Sequence, residues 1–461
     1  MNRLAYVLVL LLTGFAVPAA AQGRPSLSDG VREFIAVDAP VVVLSGVQVI
    51  DGTGAPGRDD QTVVIRDGLI ASVGPIAGLP VPQGARVLEL PGHTVFPGIV
   101  GMHNHLGYGY DFNVRQDATL YLAGGVTAIR VTGNRQPYSE INLKREIDEG
   151  RSAGPRIHLT GPFVTGPGRG LSGAQVSTPD EARRFVNHWA DEGVTWIKVY
   201  TSIRRRELAA LIQQAHARGI KVTGHLCAVT AREAAELAID NIEHGPDNTD
   251  FDPQKQTDVC PPDTYPHLDP MSEAVTATIR TLVANNVAIT ATLPEAESYE
   301  PGRPAVDPRV FDFMAPGTLV AYGERRPRVD AGPTGYLAWL QAVFRAFVDA
   351  GGLLVAGIDP VFPGLLPGFA DQRNYELLIE AGFPPEQAIK IMTSNGARLL
   401  GVDATLGTVE TGKIADLVVV RGDAITDPTA IRNVVYVFKD GIAYDSPKLM
   451  ESVRQQLSSR E

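Results

Sequence analysis

Between residues 94 and 400 the sequence alternates short apolar runs with helix-like stretches. Eight runs have the length and composition of buried strands: 94–100, 126–131, 156–160, 196–199, 221–223, 238–242, 287–292 and 353–356. Helix-like segments lie between them, at 179–191, 204–218, 230–237, 272–285, 335–350 and 374–381. Repeated βα units favour parallel strands. The pattern therefore predicts an α/β fold with a (β/α)8 TIM-type barrel, and a doubly wound open sheet is the alternative.

Both ends of the chain have a different pattern, in which β-branched runs are separated by turn-rich stretches. These runs lie at 41–50, 62–73, 85–90, 417–420 and 434–438. Two such end segments can join when the region between them is a closed unit whose ends meet. We expect a barrel over 94–400 and a small β-sandwich domain built from 22–93 and 401–461. A frayed, polar helix is expected over 446–461.

The first 21 residues have the parts of a secretory signal peptide. A basic start at Arg3 precedes an apolar run over 4–17, and small residues lead up to Ala21. The run is shorter than the roughly 20 residues that a bilayer span requires. We expect cleavage after Ala21 and a periplasmic or secreted protein; an uncleaved anchor is the alternative. In an oxidising compartment Cys227 and Cys260 could pair or stay free.

The formal net charge of −11 at pH 7 makes a nucleic acid or an anionic membrane surface an unexpected partner. Two cysteines are also too few for a zinc site of four thiolates. The expected partner is a small-molecule substrate. Two long segments rich in Pro and Asp, 245–270 and 294–334, would enclose it as loops at the carboxyl ends of the strands. The sequence leaves open whether the chain forms a homo-oligomer.

The strongest local motif is His103-Asn104-His105. In a strand, residues i and i+2 point to the same side, so both imidazoles could converge on one cation. The alternative is a pair of surface histidines in a loop.

Lys198 lies in the apolar run 196–199, where burial of an ammonium group is costly unless something neutralises or recruits it. Carbamylation by carbon dioxide would turn this side chain into an anionic oxygen ligand able to bridge two metal ions. The alternatives are a surface lysine and a buried ion pair. Tyr200, two residues on, is expected on the same side.

Three more candidates, His225, His244 and Asp359, each follow an apolar run. A lone histidine there is more often structural, and an aspartate can simply cap the next helix. Two histidines at successive strand ends instead favour a shared site. A barrel gathers its strand ends at one mouth, which would unite His103, His105, Lys198, His225, His244 and Asp359. These groups suit Zn²⁺ or another first-row divalent ion, and two ions could share a bridging hydroxide.

Five motifs, in this order along the chain, resemble those of the amidohydrolase superfamily. They are Pro97-Gly-Ile-Val-Gly-Met-His-Asn-His105, Trp196-Ile-Lys-Val-Tyr200, Thr223-Gly-His225, Ile242-Glu-His-Gly245 and Ala356-Gly-Ile-Asp359. The segment 406–420 is similar to the one by which such chains re-enter their β-sandwich domain. The chain looks most like the imidazolonepropionase-related, metal-dependent branch, which includes Xaa-Pro and Xaa-Arg dipeptidases and ochratoxin-type amidases.

The resemblance implies a role for each residue of the set. The more buried ion would be bound by His103, His105 and Asp359, the second ion by His225 and His244, and both by Lys198 as N6-carboxylysine. Asp359 would also take the proton of the attacking hydroxide and pass it to the leaving amine. Tyr200 would contact a carbonyl oxygen or a terminal carboxylate of the substrate.

Two positions depart from the family pattern. Gly101 stands where the family usually has an acidic residue, so the support of the His103 and His105 pair is expected to differ. Members of the branch often have a histidine in a turn after strand three, where this chain has Arg169. An arginine could bind a substrate carboxylate through two parallel hydrogen bonds, and a solvent-facing loop arginine is the alternative.

Together these features predict a secreted, binuclear, metal-dependent hydrolase. It would cleave the amide bond of a dipeptide or an N-acyl amino acid by attack of a hydroxide that bridges two divalent ions, expected to be Zn²⁺. The same chemistry could act on a cyclic amide, a lactone or a carbamate, or in a deaminase. A non-catalytic binding or structural protein is a further alternative, but it would be expected to have lost a ligand residue.

Overall fold

The computed structural model describes residues 25–108, 112–167, 173–261, 268–303 and 307–458, which have a mixed α/β structure. The predicted signal peptide, residues 1–21, and Arg169 lie outside the described residues. The strands are β1 (Ile35–Val37), β2 (Val41–Val49), β3 (Arg58–Arg66), β4 (Leu69–Pro75), β5 (Arg86–Glu89), β6 (His93–Pro97), β7 (Ile99–Asn104), β8 (Val126–Val131), β9 (Arg156–His158), β10 (Val164–Thr165), β11 (Ala174–Gln175), β12 (Trp196–Val199), β13 (Lys221–Gly224), β14 (Asn241–Glu243), β15 (Ala288–Ala291), β16 (Leu354–Ala356), β17 (Leu417–Arg421), β18 (Val434–Lys439) and β19 (Ile442–Asp445).

The helices alternate with the strands through the middle of the chain. They are α1 (Asp29–Arg32), α2 (Val114–Ala123), α3 (Pro137–Asp148), α4 (Pro179–Asp191), α5 (Arg205–Ala217), α6 (Ala231–Glu236), α7 (Glu273–Ala284), α8 (Leu293–Glu297), α9 (Pro316–Asp330), α10 (Tyr336–Asp349), α11 (Phe369–Glu380), α12 (Pro385–Met392), α13 (Ser394–Leu400) and α14 (Ser446–Ser458). Within the described ranges, none of these helices combines the length and the apolar composition that crossing a bilayer requires.

Strands from both ends of the chain form one nine-stranded sheet. Its order is β1-β19-β18-β17-β6-β2-β3-β4, with β5 paired to β2. The pairings are antiparallel except those of β2 with β5 and β6. In the pairing of β6 with β17, Val95 lies opposite Val419, which joins the two ends of the chain. Val42, Leu44 and Leu417 belong to the core of this sheet.

The middle of the chain contributes parallel strands in two sheets, β7-β8-β9 and β11-β10-β12-β13-β14-β15-β16. Backbone hydrogen bonds connect the sheets at both sides. The N–H of Trp196 in β12 donates to Leu159 O just after β9 (3.1 Å), and the N–H of Ile358 after β16 donates to His103 O in β7 (3.0 Å). A parallel series therefore runs from β7 through β8, β9 and β12 to β16, and its last member is bonded to its first.

Successive residues of these strands pack in two different hydrophobic clusters. In β12, Ile197 packs in a cluster with helix residues such as Leu208 of α5. Trp196 instead packs in a cluster with residues of other strands, such as Val355 of β16. Side chains alternate between the two sides of a strand. Lys198 therefore lies on the same side of β12 as Trp196, away from the helices that pack against Ile197. We call this side the inside of the parallel series.

Three sequence predictions of local structure are wrong in detail. The predicted strand 94–100 is divided between β6, which pairs with the distant β17, and β7, which begins the parallel series. The segment 294–334, predicted to be a loop, contains helix α9. The C-terminal helix, predicted to be frayed, is packed through its buried residues Leu449 and Val453. In the first and third cases, the strand or helix is held by contacts with residues that are far away in sequence, which the local pattern does not show.

Cys227 and Cys260 form a disulfide, with their Cα atoms 5.0 Å apart. The bond ties the turn after β13 to the long segment after β14. The ammonium group of Lys255 in the same segment donates to Ala228 O at 2.7 Å. The segment is thus held against the turn that follows His225.

Candidate functional site

The predicted metal ligands lie at the carboxyl ends of strands in the parallel series. They are His103 in β7, His105 just after it, Lys198 in β12, His225 after β13, His244 after β14 and Asp359 after β16. The ring centroids of His103 and His244 are 4.8 Å apart, and those of His225 and His244 are 4.6 Å apart. The structure therefore brings residues from five strands into one cluster. Their roles as ligands stay a prediction.

The Asp359 carboxylate is in contact with three imidazoles of the cluster. Its Oδ1 lies 3.1 Å from Nε2 of His105, and its Oδ2 lies 3.5 Å from Nε2 of His103 and 3.6 Å from Nε2 of His244. One ligand atom each of His103, His244 and Asp359 lie within 4.8 Å of one another. Imidazole nitrogens and carboxylate oxygens at this spacing are a donor set that fits a divalent ion such as Zn²⁺.

His244 and Asp359 have left-handed backbone conformations, with φ of 65° and 43°. Residues with a Cβ rarely adopt this region, and such conformations persist only where the surrounding structure holds them. Both residues turn at a strand end, and both turns direct a side chain into the cluster. The local strain is therefore located where the predicted ligands meet.

Burial lowers the pKa of three imidazoles of the cluster, those of His105, His225 and His244, and so favours their neutral form. Burial, together with the charge of Lys198, lowers the pKa of His225 to about 4. Burial and the neighbouring His225 lower the pKa of His244 well below its usual value. Among the described residues, Nε2 of His244 has no hydrogen-bond partner although it is buried. A neutral imidazole with an unpartnered nitrogen is the form of histidine that binds a metal ion.

Lys198 is buried inside the parallel series, with 1% of its side chain exposed. Its Nζ has no hydrogen-bond partner among the described residues and lies 3.9 Å from Oε1 of Glu243. Burial lowers the pKa of Lys198 to about 8, although Glu243 opposes this shift. The alternative of a surface lysine is therefore wrong. An amine with this pKa is unprotonated often enough at neutral pH to react with an electrophile.

Glu243, which the sequence analysis missed, supports His103. Its Oε2 accepts a hydrogen bond from Nδ1 of His103 at 2.8 Å. Its Oε1 accepts from the Arg130 guanidinium at 2.6 Å and from the Thr223 hydroxyl. Burial alone would raise the pKa of Glu243, but Arg130, Lys198 and His103 lower it well below its usual value. The carboxylate therefore stays ionised and fixes the orientation of the His103 ring.

A signal for Glu243 was present in the sequence. Asn241 and Glu243 are polar residues at alternate positions of a short strand, so both point into the series, where Asn241 accepts from Arg130 at 2.9 Å. At Gly101, where an acidic residue was expected, a Cβ would lie 2.0 Å from Nδ2 of Asn104. A side chain at Gly101 would therefore require the Asn104 amide to move, and Glu243 supplies the carboxylate beside His103.

His244 is supported by residues that follow β15, which the sequence analysis also missed. Its Nδ1 lies 2.7 Å from the Thr292 hydroxyl and 4.0 Å from Oε2 of Glu295. Glu295 also hydrogen-bonds with the hydroxyls of Thr292 and Tyr299, and burial together with Asp359 raises its pKa to about 8. If the Thr292 hydroxyl donates its proton to Glu295, its oxygen accepts a hydrogen bond from Nδ1–H of His244. Nε2 of His244 then has no proton and has a free lone pair.

Aromatic side chains form the wall of the cluster beside His225 and His105. The Tyr200 ring lies 4.8 Å from His225 and 5.5 Å from Phe163, and Tyr108 is stacked on His105 at 4.7 Å. Burial raises the pKa of Tyr200, so its hydroxyl remains a hydrogen-bond donor at neutral pH. Tyr200 is therefore beside the predicted ligands, as expected. Arg169, the other predicted substrate contact, lies outside the described residues.

Helix α9 lines two cavities, of which the smaller one includes a residue of the cluster. A small one, of about 20 Å³, is bounded by His105, Asp117 and Thr318 of α9. A larger one, of about 200 Å³, is bounded by Tyr322 and Arg325 of α9 and does not include any of the predicted ligands. Both are also lined by residues 363–365. The segment 294–334 thus contributes to the wall of the cavity beside His105 through a residue of its helix, Thr318.

Comparisons with known proteins place this geometry in a family. The profile of the amidohydrolase family matches residues 94–308 and 361–443. A curated relative, a dihydroorotase from Anaeromyxobacter dehalogenans (strain 2CP-C), is 35% identical over 135 residues, which are 28% of this chain and 30% of that protein. This chain thus spans less than a third of the relative's length.

Solved structures resemble the chain over most of its length. A Xaa-Pro dipeptidase with methionine bound in its active site has a TM-score of 0.68 at 21% identity, covering 88% of this chain and 100% of that one. A bottromycin amidohydrolase has a TM-score of 0.70 at 22% identity, covering 93% of both chains. At these identities the likeness is one of fold. Together with the profile match, which covers more than half of the chain, it confirms the resemblance seen in the motifs: the chain belongs to the amidohydrolase family.

Proposed function

We propose that the protein is a secreted, metal-dependent hydrolase that cleaves the amide C–N bond of a dipeptide or an N-acyl amino acid. The observation that carries the proposal is the cluster of buried imidazoles around Asp359, with ligand atoms of His103, His244 and Asp359 within 4.8 Å of one another. Family membership supports hydrolysis of a C–N bond. The fold likeness to a Xaa-Pro dipeptidase supports the dipeptide as the first substrate class to test.

We infer that the parallel series is a (β/α)8 barrel. Its support is the pair of hydrogen-bonded connections, β9 to β12 and β16 to β7, which link the two parallel sheets on both sides. The nine-stranded sheet built from both chain ends would form the β-sandwich domain. In this architecture the carboxyl ends of the barrel strands share one mouth, the usual place of an active site in such folds.

We propose that the site holds two divalent ions, most suitably Zn²⁺. His103, His105 and Asp359 would hold one, His225 and His244 the other, and Lys198, carbamylated, would contact both. The unpartnered nitrogens of Lys198 and His244 support this assignment. When bound, such ions polarise a carbonyl group and lower the pKa of a water molecule.

The side chains of the chain itself would perform the remaining steps. Asp359 would accept the proton of the attacking water and pass it to the leaving amine nitrogen. The Tyr200 hydroxyl would donate a hydrogen bond to the substrate's carbonyl oxygen or terminal carboxylate. Arg169 would bind that carboxylate as well. The aromatic wall of Tyr108, Phe163 and Tyr200 would exclude water from one side of the substrate.

Secretion is proposed from the sequence of residues 1–21 and from the disulfide. The bond between Cys227 and Cys260 is of a kind that persists in oxidising compartments, such as a bacterial periplasm. Fractionation of cells that produce the full chain would test this point. A mature protein in the periplasm that begins after Ala21 supports the proposal, and a full-length cytoplasmic protein contradicts it.

A second candidate function, hydrolysis of a cyclic amide, is favoured by the similarity to a dihydroorotase. A substrate panel separates the two. Zinc-loaded protein would be incubated with dipeptides, N-acetyl amino acids, dihydroorotate, lactones and carbamates, and products followed by mass spectrometry. Cleavage of the first two classes supports the proposal. Cleavage of dihydroorotate alone supports the second candidate, and activity on lactones or carbamates alone overturns both.

The matched variant for this panel is Asp359→Asn, which keeps the size of the side chain and removes its basic oxygen. Loss of a general base and of a metal ligand together should lower kcat by about 10³-fold or more. Asp349→Asn, in the surface ion pair with Arg345, is the control and should act as the wild type does. Hydrolysis by D359N at the wild-type rate would contradict the assigned role.

A further inference from the structure

Glu295 is a buried acid beside the cluster that the proposed reaction does not use. It lies in α8, directly after β15, with Oε2 4.0 Å from Nδ1 of His244. Its side chain is 12% exposed, the same fraction as that of Asp359. Glu295 is therefore exposed to the same extent as the proposed catalytic base.

The Glu295 carboxylate forms no close ion pair with a Lys or Arg residue in the part of the chain that the structure describes, although the more distant Arg325 acts on it electrostatically. Among the described residues, no Lys or Arg nitrogen lies within 4.0 Å of its carboxylate. The nearby Arg325 guanidinium is placed over the rings of Tyr299 and Phe362, at 5.1 Å and 4.0 Å from their centroids. Glu297, two residues on, shows the contrast, because it pairs with Arg303 and Arg373 at 2.9 Å and 2.7 Å.

Burial of a carboxylate without a cation is costly, and pairing with a cation removes much of that cost. The buried carboxylate of Glu243 has such a cation beside it, because the Arg130 guanidinium lies 2.6 Å away. A cation that arrives with the substrate would serve the same purpose at Glu295. A primary ammonium group, which has three donors, suits a site that already contains the hydroxyls of Thr292 and Tyr299.

The position of Glu295 relative to Tyr200 indicates which end of a substrate would meet it. Tyr200 lies beside His225, His225 lies beside His244, and Glu295 lies beside His244. The tyrosine and the acid thus lie beside successive imidazoles, with the predicted metal ligands between them. A dipeptide has its scissile carbonyl in the middle, a carboxylate at one end and an ammonium group at the other.

We propose that Glu295 binds the ammonium group of a dipeptide, so that the site selects unblocked dipeptides over N-acyl amino acids. The inference rests on the proposed function and narrows its substrate class. It makes Glu295 a specificity residue whose effect depends on the positive charge of the substrate. A purely structural role for Glu295, such as holding Thr292 against His244, would affect charged and neutral substrates equally.

The test measures selectivity with and without turnover. For hydrolysis, kcat/KM is measured for Leu-Pro and for N-acetyl-Leu-Pro. For binding, calorimetry compares L-leucinamide with N-acetyl-L-leucinamide on zinc-loaded protein. The variants are Glu295→Gln and, as the matched control, Glu297→Gln from the same helix. Zinc affinity is measured for each by competition with a chelator.

The proposal predicts that wild-type protein favours the charged member of each pair by about tenfold or more, as expected for a hydrogen-bonded charge pair. Glu295→Gln should remove most of this preference, and Glu297→Gln should keep it. An unchanged preference in Glu295→Gln overturns the inference. Equal losses for both ligands, together with weaker zinc binding, also overturn it and assign Glu295 to the support of His244. If wild-type protein cleaves no linear amide, the proposed function fails, while the binding preference still decides the role of Glu295.

Discussion

Nδ1 of His103 donates a hydrogen bond of 2.8 Å to Oε2 of Glu243, a carboxylate that lies 140 residues further along the chain. Both side chains are buried, and the other oxygen of Glu243 is held by Arg130. This contact fixes one tautomer of His103, with Nε2 free to face Asp359. The buried Arg130 guanidinium has the same carboxylate as its countercharge.

We predict that Glu243→Gln weakens metal binding by about 10- to 100-fold, because the outer support of a ligand histidine is lost. The same change leaves Arg130 buried without a full countercharge and should lower the free energy of unfolding by about 3 kcal/mol or more. Chelator competition and denaturant unfolding measure the two effects. Glu236→Gln, which breaks only an exposed contact with Arg205, is the control for both. Wild-type metal affinity in E243Q would show that Glu243 has no role in the site.

A more conservative substitution, at Thr292, tests the support of His244 beside the second proposed ion. Thr292→Val keeps the shape of the side chain but removes the hydroxyl that lies 2.7 Å from Nδ1 of His244. We expect zinc affinity to fall by about tenfold, with the fold intact by circular dichroism. Thr281→Val in α7, which loses only a bond to a helix carbonyl, is the matched control. Equal zinc affinities in the two variants would contradict the proposed support of His244.

The lowered pKa of His225, about 4, predicts an acid-sensitive metal-free protein. The unfolded chain takes up a proton near the usual histidine pKa of about 6.5, while the folded chain resists until about pH 4. The contribution of neutral His225 to the free energy of unfolding is therefore complete above pH 6.5. It is lost as the pH falls from 6.5 to 4. It amounts to at most about 3 to 4 kcal/mol at 1.36 kcal/mol per pKa unit.

Denaturant unfolding of metal-free protein between pH 7 and pH 4 measures this loss. His225→Gln should lose less stability over this range than the wild type. A loss in H225Q equal to that of the wild type would mean that His225 is not held neutral by the fold.

Much of the site could be predicted because its residues follow simple rules of strand geometry. His103 and His105 are two apart, and His225 and His244 end successive apolar runs, so the local pattern alone indicated a common location. The residues that support them were harder to find. Glu243 and Thr292 act through contacts with strands that are distant in sequence, and only the assembled sheet shows which imidazole each one reaches.

The fold shows the same limit at the boundary between its two parts. The run 94–100 has the composition of one strand, yet residues up to Pro97 pair with β17 and those from Ile99 pair with β8. No local property of Val95 distinguishes these partners. Helices α5 and α10, in contrast, were predicted almost to the residue, because their apolar periodicity and their ends are local features.

The disulfide between Cys227 and Cys260 should stabilise the protein and the segment after β14. Their separation of 33 residues corresponds to about 4 kcal/mol of reduced chain entropy in the unfolded state. We expect that a reducing agent lowers the free energy of unfolding of the wild type by about this amount. The double variant with both cysteines changed to serine should start lower and should not respond to the reducing agent. A wild type that is equally stable with and without the reducing agent would contradict this account.

The central claim is that the gathered side chains hold divalent ions needed for hydrolysis. The most direct measurement is metal content and hydrolysis rate on the same sample, before chelation, after chelation, and after addition of zinc with bicarbonate, in the wild type and in Lys198→Ala. We predict about two zinc ions per wild-type chain, loss of activity with the metal and recovery with zinc, and at most one ion with little activity in K198A. Full hydrolysis by wild-type protein that contains no metal would contradict the claim.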